Sequence, residues 1–219
     1  MSEAVKVQQP TFDEVIRERH SVRAYDPEFK LTEGELRSLL EDAILAPSSS
    51  NLQPWRFLVI HDQALKEKLF PIANNQEQVK TSSAVIAVLA DLEGFRNAEL
   101  IYSRAVEKGY MPESIITSYV ARISAYYSED LARYRDTALV DAGLISMQLM
   151  LAAKARGLDT VPMGGFQADK FIEAFEVPAN FHPVMLIAVG KAAGEPRKTE
   201  RLSVDEVAYW NAFTGSSVK

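Results

Sequence analysis

The stretch LVDAGLISMQLMLAAKA, residues 139–155, is apolar on nearly every side of a 3.6-residue repeat. A helix without a wide polar face must be covered, so this one is expected at the centre of the core. It would begin near Glu129 and end at Arg156, with Gly157 placed as its C-terminal cap. Upstream, SAVIAVLAD (83–91) is a continuous apolar run rich in β-branched residues, which reads as a buried strand. RFLVI (56–60) and VMLIAVG (184–190) read as further strands, and 160–161 as a short one. Helices are expected over 62–70 and 168–175, and over much of 94–127 with a break at KGYMP. Two capping-box patterns, Thr11 with Glu14 and Thr32 with Glu35, start helices near the N-terminus. The first carries Phe12, Val15 and Ile16; the second carries Leu36, Leu39, Leu40, Ala43 and Ile44 and is stopped by Pro47. No repeat, low-complexity tract or linker divides the chain. The expectation is one α+β domain over residues 1–219.

Composition narrows the function. The chain is 47% hydrophobic and 25% charged, as globular proteins are, and its net charge of −6 argues against general nucleic-acid binding. It has no cysteine, which excludes disulfides, thiolate metal sites and Cys nucleophiles. His20, His61 and His182 are isolated, with no metal-ligand spacing. There is no GxSxG elbow, no GxGxxG after a strand and no P-loop. MSEAVKVQQPTFDE has no apolar leader segment, and no run of 18 apolar residues suggests a membrane span; a cytoplasmic protein is expected.

Four stretches can carry chemistry. RHSVRAYD (19–26) crowds Arg19, His20, Ser21 and Arg23 together; it reads either as a solvated helix end or as an anion site for a phosphorylated ligand. APSSSNLQPW (46–55) is a loop dense in small donors and anchored by Trp55, which suits a turn or a sugar-like polyol. VPMGGF (161–166) places two glycines after a strand, a tight turn or a bare backbone that a ligand can approach. PRKTERL (196–202) is a second basic cluster, either a charged surface loop or part of an anion site. Beyond it, Leu202, Val204, Val207, Trp210 and Phe213 need a surface to cover them, on the same chain or on a second copy.

In this order and spacing, from about Phe12 to Trp210, the four stretches resemble the nitroreductase family. That resemblance implies a central, mostly antiparallel sheet flanked by helices, and a homodimer whose C-terminal extension embraces the partner subunit. It implies FMN at the subunit interface and NADH or NADPH as electron donor. It assigns Arg19, His20 and Ser21 to the phosphate and ribityl chain, and Arg23 to the pyrimidine side of the ring. Pro47, Ser48, Ser49 and Asn51 would come from the partner. Pro162, Met163, Gly164 and Gly165 would meet the ring, the glycine N–H groups facing N5 and O4. Arg201 would be a second phosphate contact and Lys198 an assistant, since Thr199 stands where the family has its usual basic residue. Lys80 resembles a flavin-facing lysine, with Gln76 or Gln78 beside ribityl or ring edge. No catalytic side chain and no metal are required, because the flavin carries the chemistry. The implied acceptors are nitroaromatics, quinones or flavins, reduced by ping-pong kinetics. A specialised FMN reaction such as dehalogenation, or flavin binding without turnover, stands as the alternative. Tyr126 and Tyr127 fall in the segment that covers the pocket in relatives, where they either pack or line it.

Overall fold

The structure, a computed structural model, describes residues 10–213. Residues 1–9, on which the expectation of no leader partly rests, and residues 214–219, the end of the expected domain, lie outside that range.

Four strands form one antiparallel sheet in the order β1-β2-β4-β3: β1 Trp55–Ile60, β2 Ala84–Asp91, β3 Asp159–Met163 and β4 Phe181–Gly190. All eight residues of β2 are buried, as its unbroken apolar run requires. Because side chains alternate along a strand, β2 feeds two cores. Ile86 and Val88 pack with Leu36, Leu39, Ile145 and Leu149, whereas Val85, Ala87 and Leu89 pack with Val22, Tyr25, Leu69, Val79 and Phe171. A third cluster joins Leu52, Phe95, Tyr127 and Tyr134 at the far end.

Helices cover both faces. They are α1 Phe12–Glu18, α2 Glu33–Ala43, α3 Gln63–Ile72, α4 Gln78–Thr81, α5 Ala98–Glu107, α6 Ile116–Ser128, α7 Leu131–Ala155, α8 Ala168–Ala174 and α9 Val204–Val207. Both expected capping boxes form, at Thr11 and at Thr32. The break between α5 and α6 falls at Lys108–Pro112, where Gly109 takes φ +72°. Gly157 takes φ +73° just past α7, the left-handed cap its position implies.

Several boundaries differ from expectation for physical reasons. β3 is five residues rather than two, because as an edge strand it can include Pro162. β4 starts three residues early, and a bulge skips Val184 between the pairs Val88–Met185 and Leu89–Pro183. α3 continues to Ile72 with Pro71 in its last turn, and the four-residue α4 was not anticipated.

The long helix α7 is the largest departure. Its length and hydropathy are those of a membrane span, yet Ala138, Ala142, Ile145, Leu149 and Ala153 pack in the core. Its other side is not covered by the described residues: Val140 is 63% exposed, and Leu144 and Met147 are exposed too. The spacing 140, 144, 147 is one helical stripe. Phe12 and Ile16 of α1, and Ile44 and Leu45 after α2, are also exposed, and both helices pack on α7. The tail residues Leu202, Val204, Val207, Trp210 and Phe213 are all exposed.

Candidate functional site

After α1, residues 21–26 run extended across the end of the sheet. Ser21 bridges Thr160 of β3, and the Val22 N–H donates to the Thr160 carbonyl at 3.1 Å. Tyr25 bridges Ala192, and the Asp26 N–H donates to the Lys191 carbonyl at 2.9 Å. Val22 and Tyr25 point into the core, so Arg23 and Ala24 are left outward and Ser21 half-exposed. Gly190 makes room for Tyr25: a Cβ there would come within 3.0 Å of its ring. Burial, reinforced by Asp159, holds the Tyr25 phenol well above its ordinary pKa, so it stays protonated and donates to the Ala188 carbonyl at 3.3 Å.

This registration opens a cleft of about 570 Å³ between residues 21–24 and 193–197. Ser21, Arg23, Gly194, Glu195 and Arg197 line it. Among the described residues neither Arg23, Arg197 nor half-buried Arg19 has a carboxylate within ion-pair distance. The two unpaired guanidinium groups that line the concave surface, those of Arg23 and Arg197, suit an anionic ligand. His20 is tied locally, its Nδ1 2.7 Å from the Glu18 carbonyl oxygen.

The Gly164–Gly165 turn follows β3. Phe166 N–H donates to the Gly164 carbonyl at 3.2 Å, while Asn74 Nδ2 and Gln76 Nε2 both donate to the Gly165 carbonyl, at 2.8 and 3.0 Å. Neither glycine N–H has an acceptor among the described residues. Neither glycine has positive φ, and a Cβ on Gly164 would meet nothing within 4 Å. Backbone strain and crowding among the described residues therefore do not explain the missing side chains.

Of the expected residues only Ser21 and Arg23 line this cleft; Arg19, His20 and the glycine turn do not, nor do the rest. Ser48–Asn51 hang from α7, where buried Asp141 accepts the Ser49 N–H and hydroxyl. Ser48 Oγ accepts the Gln53 N–H at 3.0 Å, Tyr102 donates to the Ser50 carbonyl at 2.6 Å, and Pro47 and Asn51 are exposed. Ser50, Asn51 and Gln53 all adopt positive φ, near +50°, an unusual concentration of left-handed backbone in non-glycine residues. Trp55 is buried at the loop's end.

Gln78 is buried and faces Gln76 and the Met163 sulfur; Lys80 pairs with Glu77 at 3.0 Å and lies 3.9 Å from the centre of the Phe70 ring. Lys198 and Arg201 are exposed outside the cleft, and Arg201 bonds its neighbour's carbonyl. From that basic stretch it is Arg197 that lines the cleft. Asn74 and Arg197 are the site residues the sequence did not single out. The visible signal for Asn74 was the Asn-Asn pair after Pro71, since asparagine tolerates the left-handed turn that ends a helix. A larger cavity, about 780 Å³, lies between the start of α7 and residues 179–180 and contains none of the expected residues.

The family model described as Nitroreductase family matches residues 16–191. The chain belongs to the nitroreductase family. A Bacillus subtilis (strain 168) relative named "Putative NAD(P)H nitroreductase YdgI" is 48% identical over 202 residues, covering 91% of this chain and 97% of that one. A crystal structure from Exiguobacterium sibiricum, described as a "putative nitroreductase in complex with FMN", is 44% identical with a TM-score of 0.89, covering 93% and 99%. A Lactiplantibacillus plantarum relative named "CLA biosynthesis enone reductase" is 32% identical over 206 residues, covering 92% and 95%. The antiparallel four-stranded sheet with flanking helices is thus the nitroreductase fold.

Proposed function

We propose that this nitroreductase-family chain is an FMN-dependent NAD(P)H oxidoreductase, one flavin-binding domain that acts as a homodimer. The observation that carries the reading is the exposed Gly164–Gly165 turn, whose carbonyls accept from Phe166, Asn74 and Gln76 and whose N–H groups have no acceptor among the described residues. Unpaired N–H donors suit the electronegative N5 and O4 edge of a flavin. Gly164, just past the end of β3, is four residues on from Thr160, which bridges Ser21, a span of about 13 Å at strand rise. That separation suits a ring at the turn and a phosphate among Arg19, Ser21 and Arg197, with Arg23 toward the pyrimidine and His20 beside the ribityl chain. The Exiguobacterium structure's description names FMN, and the YdgI relative's name includes NAD(P)H.

When bound, FMN supplies two-electron exchange between nicotinamide and acceptor. The chain binds the phosphate, orients the ring through Pro162, Met163, Gly164 and Gly165, and needs no nucleophile of its own. Pro47, Ser48, Ser49 and Asn51 reach the flavin from the second copy, because in their own chain they are held on α7 away from the cleft. The uncovered stripe on α7 and the exposed tail give that second copy its apolar surface. Lys198 and Arg201 approach the phosphate only with residues 194–203 docked on the second copy; Gln78 and Lys80 act at one remove, through their neighbours. Donor and acceptor use the same cleft in turn, which gives ping-pong kinetics with nitroaromatics, quinones or free flavins. Dependence on the NAD(P)H pool puts the activity in the cytoplasm.

The purified protein is expected to be a yellow dimer with one FMN per chain, bleached anaerobically by NADH or NADPH. A protein that takes up no added FMN would overturn the reading; bound flavin left oxidised by both donors would remove turnover and leave a binding protein.

A further inference from the structure

Resting on that flavin reading, we propose that Asn74 and Gln76 are positioning residues that keep the Gly165 carbonyl bonded to the loop after α3, away from a ring at the turn, and so set the potential of the bound ring. Two glycines in succession make the peptide planes of this turn unusually free to rotate. The 165–166 plane is nevertheless pinned at both ends. Its oxygen accepts from Asn74 Nδ2 and Gln76 Nε2, and its N–H donates to the Gly164 carbonyl. Rotation would break all three bonds.

The orientation of the clamp is itself determined. Gln78 Nε2 donates to Gln76 Oε1 at 2.9 Å, so the Gln76 amide must turn its own NH₂ toward Gly165. Gln78 is buried against Met163 and cannot swing away. Asn74 and Asn75 adopt φ +57° and +55°, a conformation disfavoured for residues with a Cβ, and this backbone follows directly on α3 and turns Asn74 back onto the glycine turn. Strained backbone, a buried glutamine and two converging amides all serve one carbonyl oxygen.

The consequence is a turn that offers donors only. A carbonyl turned toward N5 would accept the proton that N5 bears only in the reduced flavin, and would favour that state. Removing the clamp should therefore raise the midpoint potential. In the FMN-loaded protein, Asn74→Ala with Gln76→Ala is expected to increase the affinity ratio of reduced to oxidised flavin about tenfold, or about 30 mV for a two-electron couple. Asn74→Asp, the same shape with an oxygen facing the carbonyl, should shift it at least as far. Lys68→Met unties α3 from the Ala174 carbonyl without touching the turn, and should leave the potential unchanged. A second readout needs no flavin: the Phe166 amide should exchange hydrogen about tenfold faster in the clamp variants, since its partner among the described residues is the Gly164 carbonyl.

Variants that keep FMN at the wild-type potential would overturn the clamp and leave the flavin reading intact. Wild-type protein that binds no FMN would overturn both. Should the double variant fail to fold by circular dichroism, Asn74→Asp and Gln76→Glu decide the question.

Discussion

Asp141, almost fully buried midway along α7, accepts the Ser49 backbone N–H at 3.1 and 3.2 Å from a loop 92 residues away in sequence. That contact ties down a loop with three non-glycine residues in left-handed conformation. Each such residue costs about 1–2 kcal/mol, so the loop persists only because its anchors over-determine it.

Asp141→Ala should therefore destabilise the protein by about 2 kcal/mol, leaving the Ser49 N–H without its acceptor. Asp141→Asn keeps an acceptor and should cost less. Burial raises the Asp141 pKa above its ordinary value, against the lowering effect of the Ser49 donors. Its contribution is thus present at acid pH and lost as pH rises through the raised value. Urea midpoints between pH 4 and neutrality, compared with Asp141→Asn, would show this slope, and its absence would show that the carboxylate is fully compensated.

Gly164→Val should lower FMN affinity more than about a hundredfold while leaving stability within about 1 kcal/mol of wild type. The side chain enters open space in the chain itself, where a Cβ meets nothing within 4 Å. Quenching of flavin fluorescence measures the first quantity and urea unfolding of the flavin-free protein the second. Unimpaired binding would remove the turn from the site.

Arg197→Ala and Arg23→Ala should each weaken FMN by about ten- to a hundredfold, the worth of one charge-assisted hydrogen bond. If Arg201→Ala weakens it while Arg197→Ala does not, residues 194–203 rearrange on assembly and the cleft of the single chain is not the phosphate site.

Lys66 is almost fully buried, its Nζ donating to the Lys80 and Ser82 carbonyls at 3.2 and 2.5 Å. Burial lowers its pKa to about 8, and Lys30 adds to the effect. Between about pH 8 and the ordinary lysine value the unfolded chain binds more protons, so stability should rise with pH by up to about 1.4 kcal/mol per unit. Lys66→Met should abolish that rise in paired urea titrations at pH 8 and 10. An identical slope in both proteins would mean the ammonium is as well solvated inside as outside.

The sheet was legible because β2 has an uninterrupted apolar run and α7 a length no other element approaches. Both capping boxes were legible because their signal lies within four residues. What the sequence concealed was long-range. The Asn74 and Gln76 clamp spans 91 and 89 residues, and nothing local marks either amide as a partner of Gly165. The β4 bulge answers to packing on β2 rather than to the propensity of Val184. The four-residue α4 is too short to carry a period, and its end is held by Lys66 from another helix. RHSVRAYD was readable as a cationic stretch, but which side chains point outward was decided by its bridges to Thr160 and Ala192.

The uncovered stripe Val140, Leu144 and Met147, taken with a tail whose Trp210 is 78% exposed, has a consequence governed by mass action. In the proposed homodimer, where a second copy covers this hydrocarbon, part of the folding free energy belongs to a second-order association. Its melting temperature should then climb with protein concentration, and dilution alone should release cofactor and activity together.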